Sequence, residues 1–251
     1  MVGLGRAENK IGLEAEFLLR SSDGDLVFPS DYGFDTDEFM ILGEFRTVPQ
    51  DSVERCLGAF YESFYTLKRC ILDKDKGLRL DIEHGFDTIS SEFNAKILRK
   101  MGSKQINESL NIYGTDILTL SDAVIKGGKV IGRKISTGFH IHFSSVNTTS
   151  VSIPKFVDIP NYGKYHVNDE QKQVSVSSVT KPVIAHFVKR LDAELLPRFI
   201  NSNYKNLKYR QPGFYELKSH GFEYRSMPFD LSVIDRLDMI LEFCFNLFKD
   251  L

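Results

Sequence analysis

The sequence predicts an α+β fold: a curved, mostly antiparallel sheet with helices packed on one face. Three observations lead there. Short segments alternate polar and apolar residues, hairpin-type turns separate some of them, and long amphipathic helical stripes accompany them. At 251 residues, with 42% apolar side chains, 20 Phe and 10 Tyr, the chain can bury a sizeable core, which excludes a disordered protein. One domain over 1–251 accounts for that length.

The first strand is Ile11 to Leu19 (IGLEAEFLL), followed by a polar turn at Ser21 to Asp25 and a short run, Leu26 to Phe28, that completes a hairpin. Phe39 to Thr47 reads as a second strong strand. Pro49 and Asp51 punctuate the start of a helix whose apolar positions Val53, Leu57, Phe60, Phe64, Leu67 and Ile71 recur every three or four residues. Leu78 to Glu83 alternates as a strand. Ser90 or Ser91 caps a shorter helix carrying Phe93, Ile97 and Met101, with Gly102 as its stop. A strand is expected near Lys129 to Arg133, and a clear one at Gly138 to Ser144 (GFHIHFS). From about 146 to 179 the chain turns polar and rich in Ser and Val, the composition of an inserted hairpin or flap. Thr180 and Pro182 open a helix with Ile184, Phe187, Leu191, Leu195 and Phe199 on one face. A Pro212-Gly213 turn precedes a last strand, His220 to Ser226. A final helix starts at Asp230 and carries Leu231, Ile234, Leu237, Leu241, Cys244 and Phe248.

Charge and cysteine content narrow the setting. Lys+Arg 32 against Asp+Glu 34 leaves a net charge of -2, with no block of like charge, which argues against binding nucleic acid through a broad basic field. No apolar stretch is long enough to span a membrane, and MVGLGRAENK carries no secretory signal. Three cysteines suit a reducing, cytoplasmic compartment. Cys56 and Cys70 share one helix, where fourteen residues at about 1.5 Å each separate them by roughly 21 Å, too far for a disulfide. All three read as small core hydrophobes.

The chemistry is written in four strands that each place two ionisable residues at i and i+2: Glu14-Ala15-Glu16, Glu44-Phe45-Arg46, His140-Ile141-His142 and Glu223-Tyr224-Arg225. Such pairs share one face of a sheet. A lone Glu-x-Glu or Glu-x-Arg is most often a solvated face, whereas His-x-His is rarer and the four together are restricted to Glu, His and Arg. Paired carboxylates repel unless a cation sits between them, and oxygen ligands with imidazole suit Mg²⁺ or Mn²⁺. Arginines gripping planar anions beside such a metal describe a phosphoryl-transfer site. Arg210, before the Pro-Gly turn, is a further phosphate candidate; Lys218 reads as a surface salt bridge; Asp35 and Asp37 fit a solvated turn as well as a contact to metal or amine. A zinc hydrolase on His140 and His142 is a weaker alternative.

IGLEAEFLL, YGFDTDEFMILGEFRTVPQ, GFHIHFSS and YRQPGFYELKSHGFEYRSMPF, in that order, resemble the glutamine-synthetase-like carboxylate–amine ligases, and among them the bacteriophage type-2 COOH·NH2 ligases, or amidoligases. The likeness covers Ile11 to Asp51, Ser136 to Ser145 and Tyr204 to Phe229. It implies a single catalytic domain like that of glutamine synthetases and guanidino kinases. It also implies an ATP- and Mg²⁺- (or Mn²⁺-) dependent ligase that forms an amide or isopeptide bond through an acyl phosphate. Its substrates would be small-molecule or peptide carboxylates and amines, its setting the host cytoplasm, and a homo-oligomer is left open.

By motif position, Glu14, Glu16, Glu44, His140 and Glu223 resemble the metal ligands. Arg225 resembles the arginine that meets the transferring phosphoryl group, and Arg210 an upstream phosphate-binding arginine. Arg46 is assigned to substrate or phosphate, with Arg225, Arg210 and Glu44 in the catalytic set; His142 supports the cofactor site. The chain departs from that pattern in having Glu14 where Asp often stands, and in lacking a Gly-rich phosphate loop. A phosphotransferase of the same fold, or an inactive binding module derived from it, are the rival readings.

Overall fold

The computed structural model describes residues 8–37, 41–82, 86–100, 123–126, 129–159, 163–177, 180–199 and 211–249. Strand β1 (Glu8–Arg20) is the spine of the fold. Its odd-numbered residues Ile11, Leu13, Ala15, Phe17 and Leu19 are buried in the core, which turns Glu14 and Glu16 to the opposite face. The turn at Ser21–Asp25 closes through Ser21 N to Asp25 O (2.8 Å) and leads into β2 (Leu26–Val27).

Strand β3 (Gly43–Arg46) is shorter than the alternation from Phe39 to Thr47 suggests. At Gly43 the backbone presses on a ring: an added Cβ would lie 2.3 Å from Phe17 Cζ. At the other end Thr47 donates its N–H to Leu13 O (2.8 Å) and accepts the Leu13 N–H on its hydroxyl (2.9 Å), so a side chain stands in for one carbonyl of the ladder.

Helix α1 (Val53–Lys74) is capped by Ser52, whose hydroxyl accepts from Arg55 N, rather than by Asp51, which pairs with Arg55 instead. Its buried stripe is Cys56, Phe60, Phe64, Leu67 and Ile71. Cys56 and Cys244 are core residues, as their type suggests, but Cys70 stands one position off this stripe and is exposed. Strands β4 (Arg79–Asp81) and β5 (Phe86–Ser90) follow, then α2 (Ser91–Lys100), capped by Ser90 through Phe93 N (3.1 Å). Met101 and Gly102 lie outside the described residues.

Strands β6 (Ala123–Lys126) and β7 (Lys129–Ser136) join β5 in a three-stranded sheet of order β5-β7-β6, which the sequence reading did not anticipate. Strand β8 (Gly138–Ile159) runs far past the expected Ser144, and its residues 146–159 pair antiparallel with β9 (Gly163–Ser177).

Helix α3 (Lys181–Phe199) buries Ile184, Phe187, Leu191 and Leu195. Strands β10 (Tyr215–Lys218) and β11 (Gly221–Pro228) form a hairpin, of which only the second member was expected. The single final helix of the sequence reading is two: α4 (Leu231–Ile234) and α5 (Leu237–Lys249). Asp230 caps the first through Ser232 N and Val233 N, and Leu231, placed on the apolar face by periodicity, is exposed.

Among the described residues the main sheet has eight strands, ordered β10-β11-β8-β1-β2, with β3 and β4 also pairing with β1 and β9 with β8. Every described pairing is antiparallel. One core cluster joins the inward residues of β1, β8 and β11 to the buried stripes of α1, α3 and α5, so these helices cover one face of the sheet. The other face carries the charge.

Gly221, at φ 152°, is where β11 comes closest to β8: a Cβ there would meet the Phe143 carbonyl oxygen at 2.0 Å. Backbone cannot yield as a flexible side chain can. Gly221→Ala is therefore expected to cost about 2–3 kcal/mol of stability, measured by urea unfolding. A variant as stable as the parent would mean that the two strands are not in this register.

Candidate functional site

The antiparallel registers bring the four i, i+2 pairs together. Glu14 stands opposite His140 of β8 on one side and Arg46 of β3 on the other, and Glu16 stands opposite Glu44. His142 is flanked by Gly12 of β1 and Glu223 of β11, and Glu223 by Glu216 of β10. All of these side chains except His140 border a cavity of about 500 Å³, together with Asp37, Lys218, His220 and Arg225.

His140 is fully buried beneath it. Its Nδ1 lies 2.8 Å from Glu14 Oε1 and 3.1 Å from Glu223 Oε1, and its Nε2 lies 3.6 Å from Glu16 Oε1. Burial, with Arg225 nearby, works against a charge on the ring. The carboxylates of Glu16, Glu14 and Glu223 outweigh both and hold its pKa above the ordinary imidazole value. The ring's Nδ1 thus meets the inner oxygens of two glutamates. Burial alone would raise the pKa of Glu14 and of Glu223. The imidazole of His140 holds both far below the carboxylate range, aided by Arg46 for Glu14 and by Arg225 for Glu223.

The outer oxygens face other cations. Glu14 Oε2 meets Arg46 Nε at 2.7 Å, while Arg46 Nη2 reaches Glu44 Oε1 at 2.8 Å. Glu223 Oε2 meets Lys218 Nζ at 2.8 Å, and the same ammonium reaches Glu216 Oε1 at 2.9 Å. Lys218, half-buried at the cavity, thus makes the expected salt bridge, but one of its two partners is a buried glutamate. Arg225 Nη1 contacts Glu223 Oε1 (2.8 Å) and Glu216 Oε2 (3.1 Å). It sits in an irregularity of β11, where Tyr224 opposes Ile141 but Met227 opposes Phe139, so two residues fall against one. Such a bulge re-aims a side chain, and here it delivers Arg225 to the carboxylates. Glu16 accepts the Gly138 N–H at 2.5 Å, tying it to the start of β8.

The balance of charge in the cavity is negative: Glu14, Glu16, Asp37, Glu44, Glu216 and Glu223 outnumber Arg46, Lys218 and Arg225. Glu44 registers the excess. Burial first, then the charges of Glu14 and Glu16, push its pKa to about 7, with Arg46 only partly opposing. For an acid whose folded pKa is raised, stability is lost as pH rises from the unfolded value, 4.5, to the folded one. In EDTA, the melting temperature of the wild type should therefore fall relative to Glu44→Gln between pH 4.5 and pH 7. Parallel pH profiles for the two proteins would count against this crowding of carboxylates.

One set of atoms is arranged as metal ligands are. Single donor atoms of Glu14, His142 and Glu223 all lie within 4.8 Å of one another. The Nε2 of His142 is buried, makes no hydrogen bond among the described residues and lies 3.4 Å from Glu14 Oε2. An orphaned imidazole nitrogen beside two carboxylates, in a cavity short of positive charge, fits a divalent cation. Gly12, next to His142, adds no side chain to this end of the row.

Of the residues singled out in the sequence, Glu14, Glu16, Glu44, Arg46, His142, Glu223 and Arg225 line the cavity, and His140 braces it from below. Arg210 lies outside the described residues. Asp37 lines the cavity, whereas Asp35 is exposed. Sequence reasoning missed Glu216 and His220. Glu216-Leu217-Lys218 is a fifth i, i+2 pair of the same kind, and recognising β10 as a strand would have exposed it. No family model matches the chain, and no curated protein or solved structure does either. Among the described residues no helix is long and apolar enough to cross a membrane.

Proposed function

We propose that this protein is an ATP- and divalent-metal-dependent carboxylate–amine ligase that forms an amide or isopeptide bond through an acyl phosphate. The observation that carries the reading is the convergence of five strand-borne charged pairs on one cavity, lined by five glutamates, an orphaned imidazole and three cations. Activating a carboxylate requires a triphosphate to be brought against an acid, and so requires concentrated negative charge to be neutralised by position. In this reading Glu14, Glu223 and His142 hold Mg²⁺ or Mn²⁺, with Glu16 and Glu44 alongside. His142, which lines the cavity and has an unpartnered Nε2, takes the ligand role in preference to the buried His140, which orients Glu14 and Glu223 from behind. The metal, when bound, supplies charge neutralisation for the phosphates. Arg225, Arg46 and Lys218 face the transferred phosphoryl group, and the order of motifs along the chain supports the glutamine-synthetase-like assignment of the sheet.

The test is ADP release from ATP and Mg²⁺ against pooled carboxylates and amines, with products read by mass spectrometry. Amide formed in step with ADP is the expected result. A stable phosphorylated product would instead identify a phosphotransferase. Failure of MgATP to raise the melting temperature, with no ADP from any pool, would identify an inactive binding module.

A further inference from the structure

We propose that Arg46 and Lys218 are exchangeable counter-ions: they neutralise Glu14 and Glu223 while no metal is bound, and a divalent cation that takes those carboxylates releases both side chains to grip the anionic ligand that follows. This rests on the metal reading above and adds to it an order of binding.

The geometry is the same on both flanks. Each of the two glutamates gives one oxygen to the buried His140 below, at 2.8 and 3.1 Å, and the other to a cation at the rim, at 2.7 and 2.8 Å. Each rim cation is shared with a second glutamate two residues away on its own strand, Glu44 for Arg46 and Glu216 for Lys218. Glu14 and Glu223 line the cavity while His140 does not, so an arriving metal competes with Arg46 and Lys218 for these oxygens, whereas His140 can stay. Arg46 is 64% exposed, and Lys218 28%, so both can turn toward solvent or ligand; Arg225, only 8% exposed, is packed in place. A buried carboxylate stripped of its counter-ion is costly, so Arg46 and Lys218 leave only as a doubly charged cation takes their place on Glu14 and Glu223. A released guanidinium is then shaped to bind a phosphate through two parallel hydrogen bonds, and a released ammonium supplies a point charge beside it. Such coupling is reciprocal: metal tightens the anion, and the anion tightens the metal.

The experiment is isothermal titration of the full chain and of Arg46→Gln, Arg46→Lys and Lys218→Gln, first with Mn²⁺ alone and then with ADP at saturating Mn²⁺. Losing a competing cation should tighten Mn²⁺ about three- to fivefold in Arg46→Gln and Lys218→Gln. The same two variants should bind ADP about tenfold more weakly. Arg46→Lys, which keeps the charge, should leave Mn²⁺ affinity at the wild-type level. Tighter Mn²⁺ with unchanged ADP affinity would overturn the release to the anion. Unchanged or weaker Mn²⁺ in both glutamine variants would overturn the competition while leaving the metal site intact. Absence of Mn²⁺ binding by the wild type would remove the metal reading and this inference together.

Discussion

Glu223→Gln is expected to lower Mn²⁺ affinity by at least about 100-fold and to abolish the thermal shift produced by MgATP. Glu223 is the central carboxylate of the β11 row. One oxygen receives His140 and Arg225, the other receives Lys218, and its ligand atom lies within 4.8 Å of those of Glu14 and His142. The amide keeps the shape and one acceptor, so the far-UV circular dichroism spectrum should be unchanged while the charge that a metal needs is gone. Glu194→Gln provides the control, since Glu194 is half-exposed on α3 and pairs with Arg198 one helical turn away. A Glu223→Gln protein that binds Mn²⁺ as the wild type does would remove Glu223 from the ligand set.

His140→Ala should cost the metal-free protein about 2–3 kcal/mol, because it removes the buried ring that two carboxylates share and leaves Arg46, Lys218 and Arg225 to balance them. The sign of the pH dependence is fixed by the raised folded pKa of His140. Its contribution is fully present below the unfolded value, 6.5, and is lost as pH rises through the folded value above it. Urea unfolding in EDTA at pH 6 therefore reads the full difference, which should shrink toward alkaline pH. Mn²⁺ should return part of the loss by supplying the missing positive charge. Equal unfolding midpoints for the two proteins at pH 6 would show that the ring is not the counter-charge of these glutamates.

The parts of the fold legible in the sequence are those where a period and a partner agree. In β1, the apolar members of IGLEAEFLL are buried and its glutamates lie on the opposite face. In α1 and α3, the apolar stripes read from periodicity are the stripes that face the sheet. The i, i+2 pairs were legible for the same reason, since parity alone puts them on one face. What parity does not give is register. That Glu14 faces both His140 and Arg46, and that Glu223 faces His142, depends on how four strands slide past one another. The sequence also hides features in which one residue overrides a pattern. Asp230 caps a single turn and the helix restarts at Leu237, which leaves Leu231 exposed despite its spacing. Strand β10 was overlooked because four residues, YELK, are too few for alternation to rise above background. The distinction between His140 and His142 was likewise out of reach: both sit on one face, and only the surrounding carboxylates decide that the first is sealed below and the second opens on the cavity.

If the strand pairs assemble a divalent-cation site, crystals soaked in Mn²⁺ should reveal the ion in an anomalous difference map. The expected peak is bounded by Glu14, Glu223 and His142, about 2.0–2.6 Å from each ligand atom, with Arg46 and Lys218 moved off their carboxylates. A peak elsewhere on the molecule, or an empty cavity with Arg46 still on Glu14 at millimolar Mn²⁺, would contradict it.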